Sequence, residues 1–117
     1  MAGSITLERA AGVATVTLAN PGKLNAIDIA MWRELQVLFL HLQSLPADDA
    51  PQAVIVRGAG GQFASGGDIV EFAGFRFEPD SLRDFHENVV APALQSLLDC
   101  DIPLLAQIEG ACIGGGL

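Results

Sequence analysis

Two stretches near the start of the chain alternate between apolar and polar or small positions. Ile5 and Leu7 carry the first; Ala14, Val16 and Leu18 against Val13, Thr15 and Thr17 carry the second. A period of two is the pattern of a half-buried strand, and with Ala10-Ala11-Gly12 between them the pair predicts a β-hairpin. Asn20-Pro21-Gly22 breaks the second strand, and Lys23-Leu24-Asn25-Ala26 reads as a connecting loop. The period then changes. Met31, Leu35, Leu38, Leu42 and Leu45 recur at steps of three and four, which predicts a helix capped by Asp28 and stopped by Pro46. Ala53-Val54-Ile55-Val56 is continuously apolar and predicts a short strand buried on both faces.

A glycine-rich segment, Gly58–Gly67, separates that strand from Asp68–Phe72, a short helical turn that Asp68 would cap and in which Glu71 would face solvent. Residues 73–80 read as irregular. Ser81, with Asp84 three positions on, resembles a capping box for a helix carrying Leu82, Phe85, Val89, Leu94, Leu97 and Leu98, which Pro92 must kink or split. Pro103–Ile108 predicts another strand, followed by Gly110 and by Gly114-Gly115-Gly116. The order of strand, glycine loop and helical turn thus occurs once from Val54 to Phe72 and starts again at Leu104. Strands alternating with helices predict an α/β fold with parallel pairing, in which both glycine loops leave the C-terminal ends of strands. Ligands bind at those ends in open α/β sheets.

Composition narrows the function. The chain of 117 residues is one domain at most, and half of it is hydrophobic with a mean hydropathy of +0.41. That is more apolar surface than a small sphere hides, so a partner, an oligomer or a second half of the fold is expected. The net charge of −8 repels nucleic acid and anionic lipid, and both are set aside as partners. MAGSITLERA has no signal-peptide character and no apolar run approaches a membrane span, so a cytoplasmic location is expected. Cys100 and Cys112 show no metal or redox spacing and read as free, buried thiols.

The glycine loops carry the candidate chemistry. Glycine lets a backbone approach a ligand closely, and N–H groups at a helix start have no intrahelical acceptor. Two such loops facing each other could offer two donors to one oxygen, an arrangement that suits a carbonyl whose oxygen gains charge during reaction. Phosphate is the rival ligand, but neither loop reads GxxxxGK[ST], and Gly110–Gly116 does not read GxGxxG. Plain turns with no ligand remain open on the glycines alone.

Four stretches together resemble one family. NPGKLNAI, FASGGDIVEF, IPLLAQIEG and GACIGGGL occur in the order and approximate spacing of the crotonase, or enoyl-CoA hydratase/isomerase, superfamily, and the resemblance runs from Ile5 to Leu117. It implies a spiral of repeated ββα units of which only the N-terminal portion is present, so that residues 1–117 form part of one acyl-CoA-binding domain. It implies a coenzyme A thioester as substrate, no permanently bound cofactor, and a homo-oligomer, the family's trimer or hexamer. By motif position the backbone N–H groups of Gly67 and Gly115 would form the oxyanion hole, with Gly66 and Gly114 beside them. Ala64, Ser65, Asp68 and Ile69 would line the substrate path, and Lys23 and Leu24 lie in the loop that touches the CoA moiety.

Departures from the family pattern matter too. Gly67 stands where alanine is commonest, a change that a backbone donor tolerates. The family's acid/base carboxylates would fall just past Leu117 and further on, outside the sequence. Within it, Asp68, Glu71 and Glu109 have capping or surface readings, and His41 and His86 read as core or solvated histidines rather than bases. Hydration or isomerisation of an enoyl-CoA is therefore the expected chemistry. A non-catalytic crotonase-like binding or scaffold protein is the alternative, and a nucleotide-binding βαβ domain a weaker third.

Overall fold

The computed structural model describes residues 3–72 and 78–117. The hairpin forms as expected: β1 (Ser4–Ala10) pairs antiparallel with β2 (Val13–Ala19), closed by Ala11 and Gly12 at φ 51° and 81°. Left-handed conformations at both turn residues match the twist of the strands they join. Asp28 then caps α1 (Ile29–Ser44), its Oδ1 accepting from the N–H of Met31 at 2.8 Å, while its Oδ2 accepts from Gly3 N at 2.8 Å. The buried stripe of α1 is Met31, Trp32, Leu35, Phe39 and Leu42. Leu38 and Leu45 are only half-buried, so the aromatic residues rotate the buried face away from the leucine ladder.

β3 (Ala53–Gly58) lies parallel to β2, and β4 (Leu104–Gln107) parallel to β3, giving one four-stranded sheet in the order β1-β2-β3-β4. Val54 and Val56 are buried, but Ala53 and Ile55 are half-buried, so β3 is sealed on one face rather than on both as expected. Ala14, Val16, Leu18, Val54 and Val56 share one core with the buried side chains of α1.

The expected irregular segment falls largely on residues 73–77, which lie outside the described residues; the helical turn before it, α2, runs Ile69–Phe72. The next helix starts earlier than the Ser81 capping box predicts. α3 (Pro79–Phe85) has Pro79 in its first turn, where a missing N–H breaks no hydrogen bond, and Ser81 lies inside it. It runs through a π-helical turn (His86–Val90) into α4 (Ala91–Leu98), with helical backbone at every junction residue. In the π turn the Ala91 N–H donates to the carbonyl of His86, five residues back. Pro92 follows at once. Its ring crowds the carbonyl four residues back and it has no N–H to give, so the wider turn accommodates it without breaking the helix.

β4 is shorter than the expected strand and exposed at all four positions. Leu105, Ile108 and Ile113 are between 55% and 60% exposed. No helix among the described residues is long and apolar enough to cross a membrane.

Candidate functional site

Three loops leave the same edge of the structure and are stitched side by side. The Ile27 N–H donates to Gly66 O at 2.7 Å and the Asp68 N–H to Ile27 O at 3.1 Å, a parallel bridge joining the segment before α1 to the Gly66-Gly67 loop. On the other side, Ala64 N donates to Ala111 O at 3.0 Å and Ile113 N to Ala64 O at 3.1 Å. Ala64 is fully buried between the two loops it joins. Two side chains that the sequence reading passed over complete the stitching. Asn25 Nδ2 donates to the carbonyls of Ala59 and Gln62, both at 2.8 Å, and Gln62 Oε1 accepts from Ala111 N at 2.6 Å.

This lacing brings the two glycine pairs face to face. A β-carbon built on Gly115 would stand 3.7 Å from Gly67 N, and one built on Gly66 would stand 3.6 Å from Gly115 N and 3.0 Å from Ile113 O. Gly66 has φ 103°, a conformation that side-chain-bearing residues rarely adopt, so glycine is required there on both counts. Gly114-Gly115-Gly116 forms a single 3-10 turn, closed by Gly116 N to Ile113 O at 2.9 Å and Leu117 N to Gly114 O at 3.0 Å. Among the described residues, neither the Gly67 N–H nor the Gly115 N–H meets a backbone acceptor.

A cavity of about 310 Å³ opens beside these two groups, lined by Trp32, Gly67, Ile69, Phe85, His86, Val90 and Gly115. Its wall is apolar apart from the glycine backbones, the Trp32 indole and His86, and no carboxylate lines it among the described residues. The indole Nε1–H of Trp32 is buried without a partner. A second apolar cavity, about 210 Å³, lies past Gly115 and reaches β4. An apolar cleft with a few convergent donors is the usual form of a small-molecule site.

Of the remaining expected site residues only Ile69 lines this cavity, and Lys23, Leu24, Ser65 and Asp68 do not. Lys23, exposed, pairs through Nζ with Asp68 Oδ2 at 2.9 Å. That hydrogen bond raises the lysine above its usual value of 10.5, with the carboxylates of Asp68, Asp28 and Glu71 adding to it and partial desolvation opposing it. Asp68 Oδ1 accepts from Glu71 N at 3.3 Å, the expected cap. Glu71, expected in solvent, is half-buried and accepts from Ile29 N at 2.6 Å. Burial pushes its carboxyl above the usual 4.5, against the opposing pull of that N–H. Ser65 Oγ donates to Lys23 O at 2.9 Å, Leu24 projects at 57% exposure with φ 51°, and Ile69 is 80% exposed at the cavity mouth. Cys100 and Cys112 are free and half-buried, and no group of three or more potential metal ligands occurs among the described residues.

The sequence from residue 8 to 117 matches the family model for enoyl-CoA hydratase/isomerase. The chain belongs to the enoyl-CoA hydratase/isomerase family. It is similar to the mitochondrial Delta(3,5)-Delta(2,4)-dienoyl-CoA isomerase of Mus musculus, 35% identical over 111 residues that cover 87% of this chain and 33% of that protein. It also resembles an enoyl-CoA hydratase of Alternaria alternata, with 30% identity over 91% of this chain and 34% of the relative. Among solved structures, an enoyl-CoA hydratase/carnithine racemase from Magnetospirillum magneticum superimposes with a TM-score of 0.87 at 38% identity, covering 97% of this chain and 43% of that one. The chain thus spans about a third of the length of the curated relatives it matches. The crotonase-type α/β fold expected from the four motifs is the fold observed.

Proposed function

We propose that this chain is the N-terminal, acyl-CoA-binding part of an enoyl-CoA hydratase/isomerase-type enzyme, and that the N–H groups of Gly67 and Gly115 hold the thioester oxygen. One observation carries the reading: two backbone donors with no backbone acceptor among the described residues, on facing loops, beside an apolar cavity. When a proton leaves the carbon next to a thioester, charge collects on the carbonyl oxygen. Donors already aimed at that oxygen stabilise it with no reorganisation, an effect of roughly a hundredfold or more in rate for one donor. Gly66 and Gly114 keep the loops close enough to share one oxygen.

Ile69 at the mouth contacts the acyl-proximal part of the substrate in this reading. The Ala64–Ser65 backbone, Lys23, Leu24 and Asp68 form the rim along which the CoA arm runs. Lys23 then has to exchange Asp68 for a phosphate or share both. Hydration of an enoyl-CoA is the reaction favoured, with further acid/base groups supplied by sequence beyond the motifs described. The exposed apolar strand β4 supports association into a homo-oligomer.

The same exposed strand, with no carboxylate on the cavity wall among the described residues, favours the second reading, a non-catalytic crotonase-like scaffold. Gly115→Pro separates the two. It removes one donor and is expected to abolish measurable acyl-CoA binding by calorimetry while the circular dichroism spectrum is kept. Unchanged binding by a folded Gly115→Pro protein would defeat the oxyanion assignment.

A further inference from the structure

We infer that His86 is a catalytic base of this site, exchanging a proton at the carbon next to the thioester carbonyl. The inference rests on the oxyanion reading of Gly67 and Gly115. His86 lines the same cavity as both glycines and carries the one imidazole, with a ring nitrogen that can accept a proton, on that wall among the described residues. It is exposed rather than sealed in the core, so the ring is reachable by substrate and water. The ring stacks edge-on against Phe85, centroids 5.3 Å apart at 61°, and Phe85 lines the cavity too. That contact limits the directions in which the imidazole can point.

The backbone gives an independent reason. His86 opens the π-helical turn, and its carbonyl accepts the five-residue hydrogen bond from Ala91. An inserted residue of this kind shifts the face on which the preceding and following side chains emerge, and such turns recur at functional sites. Phe85, His86 and Val90, at the two ends of this turn, all line one cavity. The charged neighbours on the same helical stretch, Asp84 and Glu87, are absent from the cavity lining.

The step balances without a co-reactant. A neutral imidazole nitrogen takes the α-proton, the C–H electron pair becomes the enolate double bond, and the carbonyl pair moves onto the oxygen facing Gly67 and Gly115. The imidazolium then returns a proton. Return to the α-carbon exchanges hydrogen with solvent; return to the γ-carbon of a β,γ-unsaturated chain moves the double bond into conjugation.

The test is α-deuterium uptake by a saturated acyl-CoA in D₂O, followed by mass spectrometry, with the parent chain and His86→Ala compared with and without added imidazole. Isotope-edited infrared spectroscopy of the bound thioester carbonyl is recorded alongside. The expected result is uptake by the parent, a drop of about a hundredfold in His86→Ala, partial rescue by imidazole, and the same displaced carbonyl band in both proteins. Equal uptake by parent and variant, or a loss that imidazole does not restore, overturns the role of His86 while the displaced band leaves the oxyanion reading standing. An undisplaced band in the parent removes the oxyanion reading and His86 with it.

Discussion

Strands β2 and β4 are both apolar and both parallel to β3, yet they end in opposite environments. In β2, Ala14 and Val16 are fully buried; in β4 every residue is exposed. One row across the sheet shows the gradient: Leu7 is half-buried, Val16 and Val56 are buried, and Ala106 is exposed. The difference lies in neighbours rather than in composition. β2 has a strand on each side and α1 across its face, whereas β4 has β3 alone and an apolar cavity beneath it. Stability should therefore reside in the hairpin, α1 and β3. The glycine loops proposed to hold the thioester sit where the less supported half begins.

The largest test of that contrast is truncation of Phe39, fully buried in the core that β2 and β3 share with α1. Phe39→Ala should lower unfolding free energy by about 3–5 kcal/mol in urea titration, enough to unfold a chain this small. Leu105→Ala on β4 should change it by less than about 0.5 kcal/mol. Comparable losses at both positions would mean that β4 is as well packed as the core.

A second comparison opposes the two glycines proposed for the oxyanion hole, Gly67 and Gly115. A methyl on Gly67 would meet nothing within 4 Å, whereas one on Gly115 would stand 3.7 Å from the Gly67 N–H and 3.6 Å from Trp32 Cζ2. Gly67→Ala should leave thioester binding intact. Gly115→Ala should fold but place its methyl before the partner donor, with enolate formation reduced by roughly a hundredfold in isotope exchange.

Sequence pattern revealed much of this architecture. The hairpin, the Asp28 cap and β3 were legible because period, turn residues and capping chemistry are local properties. So were the glycine loops, whose motifs signal backbone geometry directly. What escaped was decided by contacts between segments distant along the chain. Glu71 looked solvated, but the start of α1 offers it the Ile29 N–H across 42 positions of sequence. The Lys23–Asp68 pair, too, joins positions 45 residues apart. Trp32 was obscured because the leucine ladder of α1 marked a neighbouring stripe, and the structure turns the aromatic residues inward. The π-helical turn that begins at His86 escaped because it leaves no mark in hydrophobic periodicity, while His86 itself is exposed as one of its readings had it.

Smaller effects sharpen the account at the α1 boundary. Asp28→Ala removes the acceptor of both Met31 N and Gly3 N and should lower stability by about 1–2 kcal/mol, read as a shifted urea midpoint. Glu71 gives the smallest effect, and its sign follows from burial. Because the folded state holds its carboxyl above the usual 4.5, folded protein keeps a proton that the unfolded chain has released. Its contribution to stability therefore falls as pH rises from about 4.5 through the raised value. Glu71→Gln, which keeps an oxygen for Ile29 N, should flatten that part of the pH–stability curve, measured as urea midpoints across the window.

The most direct measurement is the amide NMR spectrum of the ¹⁵N-labelled chain, titrated with a non-reactive acyl-CoA thioester. The account predicts that the Gly67 and Gly115 amide protons move downfield together and saturate at one ligand concentration. Gly22 and Gly60, whose surroundings are open, should stay in place. If the thioester binds while the Gly67 and Gly115 signals do not move, the two glycine N–H groups do not hold its oxygen.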